Sequence, residues 1–324
     1  MRPMDTDTIM EHKPTSLHTL VLSGGGMRGY SYLGCWRALE EFGLDYRFKT
    51  ISGCSIGAIM GLLFSVGYSS QELEARLSQL SYSQVKDIQL LAITQNFGFE
   101  SGLKFLAFVA ELVQARLGDG LVAESLTFKQ HYDRFGVKLV VNATNLNQNS
   151  VAYFSLDQSP EMPVLTAVKM SYSVPFLIAP VKWQDQVYVD GAVLDNTPVK
   201  PCLEQARYTL VLRLEQNLSS PQSITSFEDY CVASWATIYN QLVRLRHSEE
   251  QLDSFKHQVT ILTKSIGSFN FMAGAEIRQD LFDQGYQACY DWLKVNKPQL
   301  VEVPTPLEVP TSGSHQAVTD HTVG

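Results

Sequence analysis

Apolar and polar positions fall in alternating blocks along the chain. Residues 18–23 (HTLVLS) form a short apolar run stopped by three glycines, the pattern of a buried strand. Residues 30–42 then set Leu33, Trp36, Arg37, Leu39 and Glu40 at helical spacing, with Gly43 as the stop. A second strand is predicted at 49–52, ending at the turn Gly53-Cys54-Ser55, and a helix over 56–66 follows it. The next helix is predicted from an N-cap at Ser70 to about Leu80. Further strands are predicted at 138–142, 151–154, 187–189, 209–214 and 259–262, and long helices at 227–247 and 281–294. Strands alternating with helices argue for an α/β layered fold around a mainly parallel sheet.

Residues 84–126 break that rhythm with a run of apolar positions, among them Leu90, Leu91, Ile93, Phe97, Phe99, Leu103, Phe105, Leu106 and Phe108. Two readings stay open for this insertion, a cap over a site or extra core helices. Residues 1–16 are polar and unpatterned and are expected to be a flexible arm. Residues 301–324, rich in Pro, Ser and Thr, are expected to be a disordered tail. With no repeat and no linker between them, residues 17–300 are expected to form one domain.

Composition narrows the function classes. The 324 residues are 45% hydrophobic, enough for a sizeable core. Twenty-five Lys and Arg against 33 Asp and Glu give a net charge of -8, which disfavours nucleic acid as a partner. No polybasic cluster would hold the chain permanently on an anionic membrane. The five cysteines are scattered and odd in number, which argues against a disulfide framework or zinc site and for a reducing compartment. The N-terminus lacks the apolar core of a signal peptide, and the most apolar stretch, 58–66, is far short of the roughly 20 residues that cross a bilayer. The expected location is cytoplasmic, with transient contact at a membrane surface.

Candidate chemistry begins at Ser23-Gly24-Gly25-Gly26-Met27-Arg28-Gly29, between a predicted strand and a predicted helix. Glycines there let backbone N–H groups approach an anion, either a pyrophosphate or an oxyanion forming during acyl transfer. A dinucleotide site would also need an acidic residue at the end of the next strand. That position holds Gly53-Cys54-Ser55-Ile56-Gly57 instead. Gly-x-Ser-x-Gly between strand and helix exposes a serine hydroxyl on a sharp turn, beneath the positive end of a helix. A nucleophile and an oxyanion hole thus arrive together. Cys54 is expected to point into packing.

Ser55 needs a base. His247 and His257 lie downstream, as a hydrolase triad would require, but His247 follows Arg244 and Arg246 at the end of a predicted helix, where a cation suits the dipole, and His257 precedes a strand with no glycine or acidic partner nearby. Asp190 is the better candidate, because an apolar strand delivers it to a turn at Gly191-Ala192. A carboxylate has no tautomers and needs no orienting third residue. Its ordinary pKa of about 3.9 is low for a base, and desolvation beside Ser55 would raise it. Asp195 is expected to fix the following turn. A Ser55–Asp190 separation of about 6 Å without bridging solvent would exclude the pair.

GGGMRG, GCSIG and DGA, in that order, resemble the three signature blocks of patatin-like phospholipases, nearest the bacterial and neuropathy-target-esterase branch. LVLSGGGMRGYSYLGCWRALEE, KMSYSVPFLIAPV, DGAVLDNTPV and GYQACYDWL extend the resemblance over about residues 19–293. It implies a three-layer α/β/α sandwich and hydrolysis of fatty-acyl esters of phospholipids or lysophospholipids, with no cofactor and no obligatory metal. It implies Ser55 as the acylated nucleophile and Asp190 as its partner in a dyad. Gly24, Gly25, Gly26, Met27, Arg28 and Gly29 would form the oxyanion hole, with Arg28 holding that loop or meeting a phosphate. Against that resemblance, Cys54 and Ile56 are bulkier or rarer than the small residues common around the serine, and Ser173 stands where alanine is frequent. A catalytically silent lipid-binding module and an acyltransferase on the same fold are the alternatives.

Overall fold

The computed structural model describes residues 17–80, 97–118, 120–216, 251–263 and 274–300, with Asp87 and a few single positions between 224 and 241. The chain begins with β1 (Thr19–Leu22), α1 (Ser31–Glu41), β2 (Thr50–Gly53), α2 (Ile56–Ser65) and α3 (Ser70–Ser78). There follow β3 (Gly98–Glu100), α4 (Leu103–Leu117), α5 (Phe128–Phe135), β4 (Lys138–Asn145), β5 (Ser150–Ser155) and α6 (Val164–Ser171). Three short strands come next, β6 (Phe176–Ile178), β7 (Val181–Trp183) and β8 (Gln186–Asp190). β9 (Thr209–Gln216), β10 (His257–Thr263) and α7 (Ala275–Leu300) close the described part.

The main sheet runs β10-β9-β1-β2-β4-β8-β7, with β5 also paired to β4. Its first five strands are mutually parallel, and β5 and β8 run antiparallel to β4. The fold is thus α/β around a mostly parallel sheet, as the alternation predicts. Side chains along a strand point to opposite faces. Leu20, Leu22, Leu210, Leu212 and Leu214 accordingly enter the large core beneath the helices. Val21 and Val211 enter a smaller cluster on the other face with Val199, Cys202, Leu252 and Phe255. α2 is apolar on every side, and all but its first residue are buried. That suits a helix enclosed between the sheet and its neighbours rather than one at a surface.

Several expectations shift. The cap of α3 is Ser69, not Ser70: its hydroxyl accepts from Glu72 N, and the Glu72 carboxylate accepts from Ser69 N at 2.9 Å. Ser70 instead gives its own N–H to Glu40 at 2.8 Å. In the insertion, α4 buries Val109, Ala110, Leu112, Val113 and Leu117, so this part is core helix. Phe99 is buried as well, whereas Phe97 and Leu103 are exposed. Leu90, Leu91 and Ile93, most of the helix predicted over 227–247, and residues 1–16 and 301–324 lie outside the described residues. Among the described residues no helix is long and apolar enough to cross a membrane.

Candidate active site

Strand pairing explains how residues 135 positions apart come together. β5 pairs along β4 from Val140 to Asn145 and so takes up one side of that stretch. The other side is shared end to end, with β2 against residues 138–141 and β8 against residues 143–145. These two strands run in opposite directions, so their C-terminal ends meet head-on, Gly53 opposite Val141 and Asp190 opposite Ala143. Ser55 and Asp190 are the residues at this junction. The Ser55 hydroxyl donates to Asp190 Oδ2 at 2.6 Å.

The turn that carries Ser55 is strained. Its backbone sits at φ 52°, ψ -121°, a region that side chains other than glycine rarely enter. The flanking glycines make that turn possible. A Cβ on Gly53 would stand 2.3 Å from the Gly57 carbonyl oxygen, and one on Gly57 would stand 2.4 Å from that of Leu22. Ser55 N–H donates to Ser171 Oγ at 2.8 Å, which ties the elbow to the end of α6. Ile56 closes over Gly29, where a Cβ would meet Ile56 Cγ1 at 2.2 Å.

Asp190 is 3% exposed. Its Oδ1 accepts from Ala192 N at 2.8 Å, and its own N–H donates to the Ser173 carbonyl at 2.9 Å. Burial raises the carboxyl from 3.8 to about 7, against the opposing pull of the Ser55 hydroxyl and the Ala192 N–H. Cys54 is fully buried with its sulfur 3.9 Å from Asp190 Oδ1, and burial pushes its thiol pKa up, which keeps it un-ionised. Asn142 lies on β4 between the two strand ends. Its side chain donates to the Asp195 carbonyl at 2.7 Å, and a Cβ on Gly191 would strike its Oδ1. Asp195 also accepts the Tyr153 hydroxyl at 2.6 Å, consistent with a turn-fixing part.

The glycine loop divides. Gly24 N–H is spent on the Asn196 carbonyl at 3.0 Å, and Arg28 N–H turns back to Gly25 O at 3.3 Å. Met27 and Gly29 belong to the 3-10 turn Gly26–Tyr30. The amides of Gly25, Gly26 and Met27 make no hydrogen bond to the described residues, so these three positions of the six-residue run expected as an oxyanion hole have an N–H to offer. Buried Arg28 clamps the loop through Nε to the Gly25 carbonyl at 3.1 Å.

His257 is the first residue of β10, so it stands at the opposite end of the parallel strands from Ser55, packed edge-on against Trp292. His247 lies outside the described residues. Sequence reasoning assigned no part to Ser171, Asn142, Asn196 or Lys169. Ser171 and Lys169 lie in the KMSYSVP stretch quoted for the resemblance, which was the available signal. Among the described residues no group of three or more His, Cys, Asp or Glu side chains could hold a metal ion.

The family model of patatin-like phospholipases matches residues 20–203, more than half of the chain. A probable lipid hydrolase, 463L of Invertebrate iridescent virus 6, is 32% identical over 191 residues, covering 58% of this chain and 63% of that protein. Lysophospholipase NTE1 of Cryptococcus neoformans is 26% identical over 226 residues, 68% of this chain but 12% of that protein. The chain thus spans less than two thirds of the length of either relative. Among solved structures, VipD from Legionella pneumophila superposes with a TM-score of 0.59 at 17% identity, covering 87% of this chain and 67% of that one. At that identity the likeness is one of fold.

Proposed function

The chain belongs to the patatin-like phospholipase family, and from that membership we propose that it is a lipid acyl hydrolase working through a Ser55–Asp190 dyad. One observation carries the proposal: the Ser55 hydroxyl donates at 2.6 Å to a carboxylate that burial has made more basic. Ser55 Oγ attacks the ester carbonyl while its proton passes to Asp190 Oδ2. The N–H groups of Gly25, Gly26 and Met27, with the N-terminus of α2, offset the charge on the tetrahedral oxygen. Collapse of that intermediate expels the alcohol, which takes the proton from Asp190. Water, deprotonated by Asp190, then attacks the acyl-enzyme, and the fatty acid leaves as Ser55 recovers its proton.

Phospholipids or lysophospholipids are the proposed substrates, supported by the family and by the likeness to lysophospholipase NTE1. Substitution of Ser55 by Ala or of Asp190 by Asn is expected to abolish fatty-acid release from phospholipid vesicles and from a short soluble ester, with the circular dichroism spectrum unchanged. Full activity in either variant would falsify the dyad. Covalent capture of Ser55 by a fluorophosphonate is expected of the wild type; failure to capture it points to a silent lipid-binding module. Transfer of the acyl group to an added alcohol in preference to water would recast the chain as an acyltransferase.

A further inference from the structure

One charged side chain in the core has no part in the dyad mechanism. Lys169, on α6, is 6% exposed. Burial lowers its pKa to about 8, while the Asp87 carboxylate pulls the other way. A buried ammonium is costly unless its protons are taken up, and this one has acceptors. Nζ donates to Ser173 Oγ at 2.9 Å and to the Ala179 carbonyl at 3.2 Å, and it lies 5.1 Å from the centre of the Tyr172 ring.

These contacts sit on the frame that holds both members of the dyad. Ser171, two residues after Lys169, accepts the N–H of Ser55. Ser173, four residues after it, gives its carbonyl to the N–H of Asp190. Ala179, the second acceptor, donates its own N–H to the Glu100 carbonyl of β3 at 2.8 Å. Lys169 therefore joins the turn behind Asp190 to the β3–β6 pair. The hydroxyl of Ser173 supplies one of the two acceptors. A serine and lysine four residues apart on a helix can also form a nucleophilic pair. Here Ser173 is fully buried and donates its hydroxyl to the Lys169 carbonyl at 2.7 Å, so that role is closed.

We propose that Lys169 is a positioning residue for the dyad: by bridging Ser173 and Ala179 it fixes the turn on which Asp190 and Ser55 are hung. This rests on the acyl-hydrolase reading, and the test is chosen to separate the two. Lys169→Met fills most of the same space, ending one atom short of Nζ, without the donors. It is expected to lower kcat on a soluble ester about tenfold with KM changed less than about twofold, since misplacement acts on orientation rather than binding. Fluorophosphonate labelling of Ser55, which needs no lipid, should slow by the same factor. Ser173→Ala cuts the link from the other side and is expected to slow labelling similarly. The double variant should be no slower than the slower single one, because both break one connection.

Wild-type labelling rates in Lys169→Met, even with a lowered melting temperature, would make Lys169 a structural residue and overturn the proposal. If Lys169→Met does not fold, Ser173→Ala decides alone, and an unchanged rate overturns it. A wild type that labels at Ser55 but releases no fatty acid sinks the proposed function while leaving this test intact. A wild type that does not label overturns both.

Discussion

The raised pKa of Asp190 makes the dyad testable by pH alone. The carboxyl must be ionised to take the Ser55 proton, and burial moves its ionisation from 3.8 to about 7. kcat/KM should therefore fall on the acid side with unit slope, to about a tenth of its plateau at pH 6 and about a hundredth at pH 5. The same shift has a thermodynamic signature of determined sign. Between pH 4 and 7 the folded chain holds a proton at Asp190 that the unfolded chain has released. Stability therefore decreases as pH rises through this window, by about 4 kcal/mol in all. Roughly 3 kcal/mol of that falls between pH 5 and 8.5.

Asp190→Asn removes the titration while keeping the hydrogen bonds: its oxygen can accept from Ala192 N–H and its amide can donate to Ser55 Oγ. The variant should be inactive yet more stable than wild type at pH 8.5, and the advantage should shrink by roughly 3 kcal/mol at pH 5. His131, buried and held at about 4, titrates in the same range but is common to both proteins and cancels in the difference. Urea unfolding at the two pH values, with initial rates on a soluble ester from pH 4 to 9, gives both readings. An acid limb centred near pH 4, or a stability difference that does not vary with pH, would refute the assignment of the buried carboxylate.

Two other substitutions probe the scaffold. Ser171→Ala removes the acceptor for Ser55 N–H and leaves that group buried and unpaired, which should cost about 1–3 kcal/mol of stability. It should also lower kcat on the soluble ester, and unchanged values of both would show that the elbow does not depend on α6. Gly285→Ala attacks the crossing of α1 and α7, where a Cβ would stand 1.9 Å from the Ser31 carbonyl oxygen. Backbone cannot yield as a flexible side chain does, so a loss of at least about 2 kcal/mol is expected in urea unfolding. A loss below about 0.5 kcal/mol would mean that the helices part at little cost.

What could be read along the chain was whatever local chemistry dictates. The apolar run before Gly24 and the Gly53-x-Ser55-x-Gly57 spacing need only neighbouring residues to make sense, and β1, β2 and α2 form where they were expected. The sequence pattern leaves α4 between a cap and an extra core helix and marks no helix at α5 or α6. α4 carries apolar residues both on its buried side and at exposed Leu103, which blurs the helical period. Lys169 offers no sign that it is buried, because its acceptors, Ser173 Oγ and the Ala179 carbonyl, become meaningful only once β6 turns back on α6.

The meeting of Ser55 with Asp190 belongs to a third kind of information. Each residue sits at the end of its strand for local reasons, but nothing local says that the strands face one another. That depends on β5 filling one side of β4, which forces β2 and β8 onto the other in opposite directions. Only three residue pairs fasten β8 to β4, and Asp190 is in the terminal one. One residue of slip in that register would point Asp190 to the opposite face of the sheet. The register is secured beyond the strand by Asp190 N–H on the Ser173 carbonyl, and by Asn142 holding the Asp195 carbonyl past the turn. Asn142 and Ser173 therefore hold Asp190 opposite Ser55 from outside the signature blocks, through contacts that no local spacing along the chain displays.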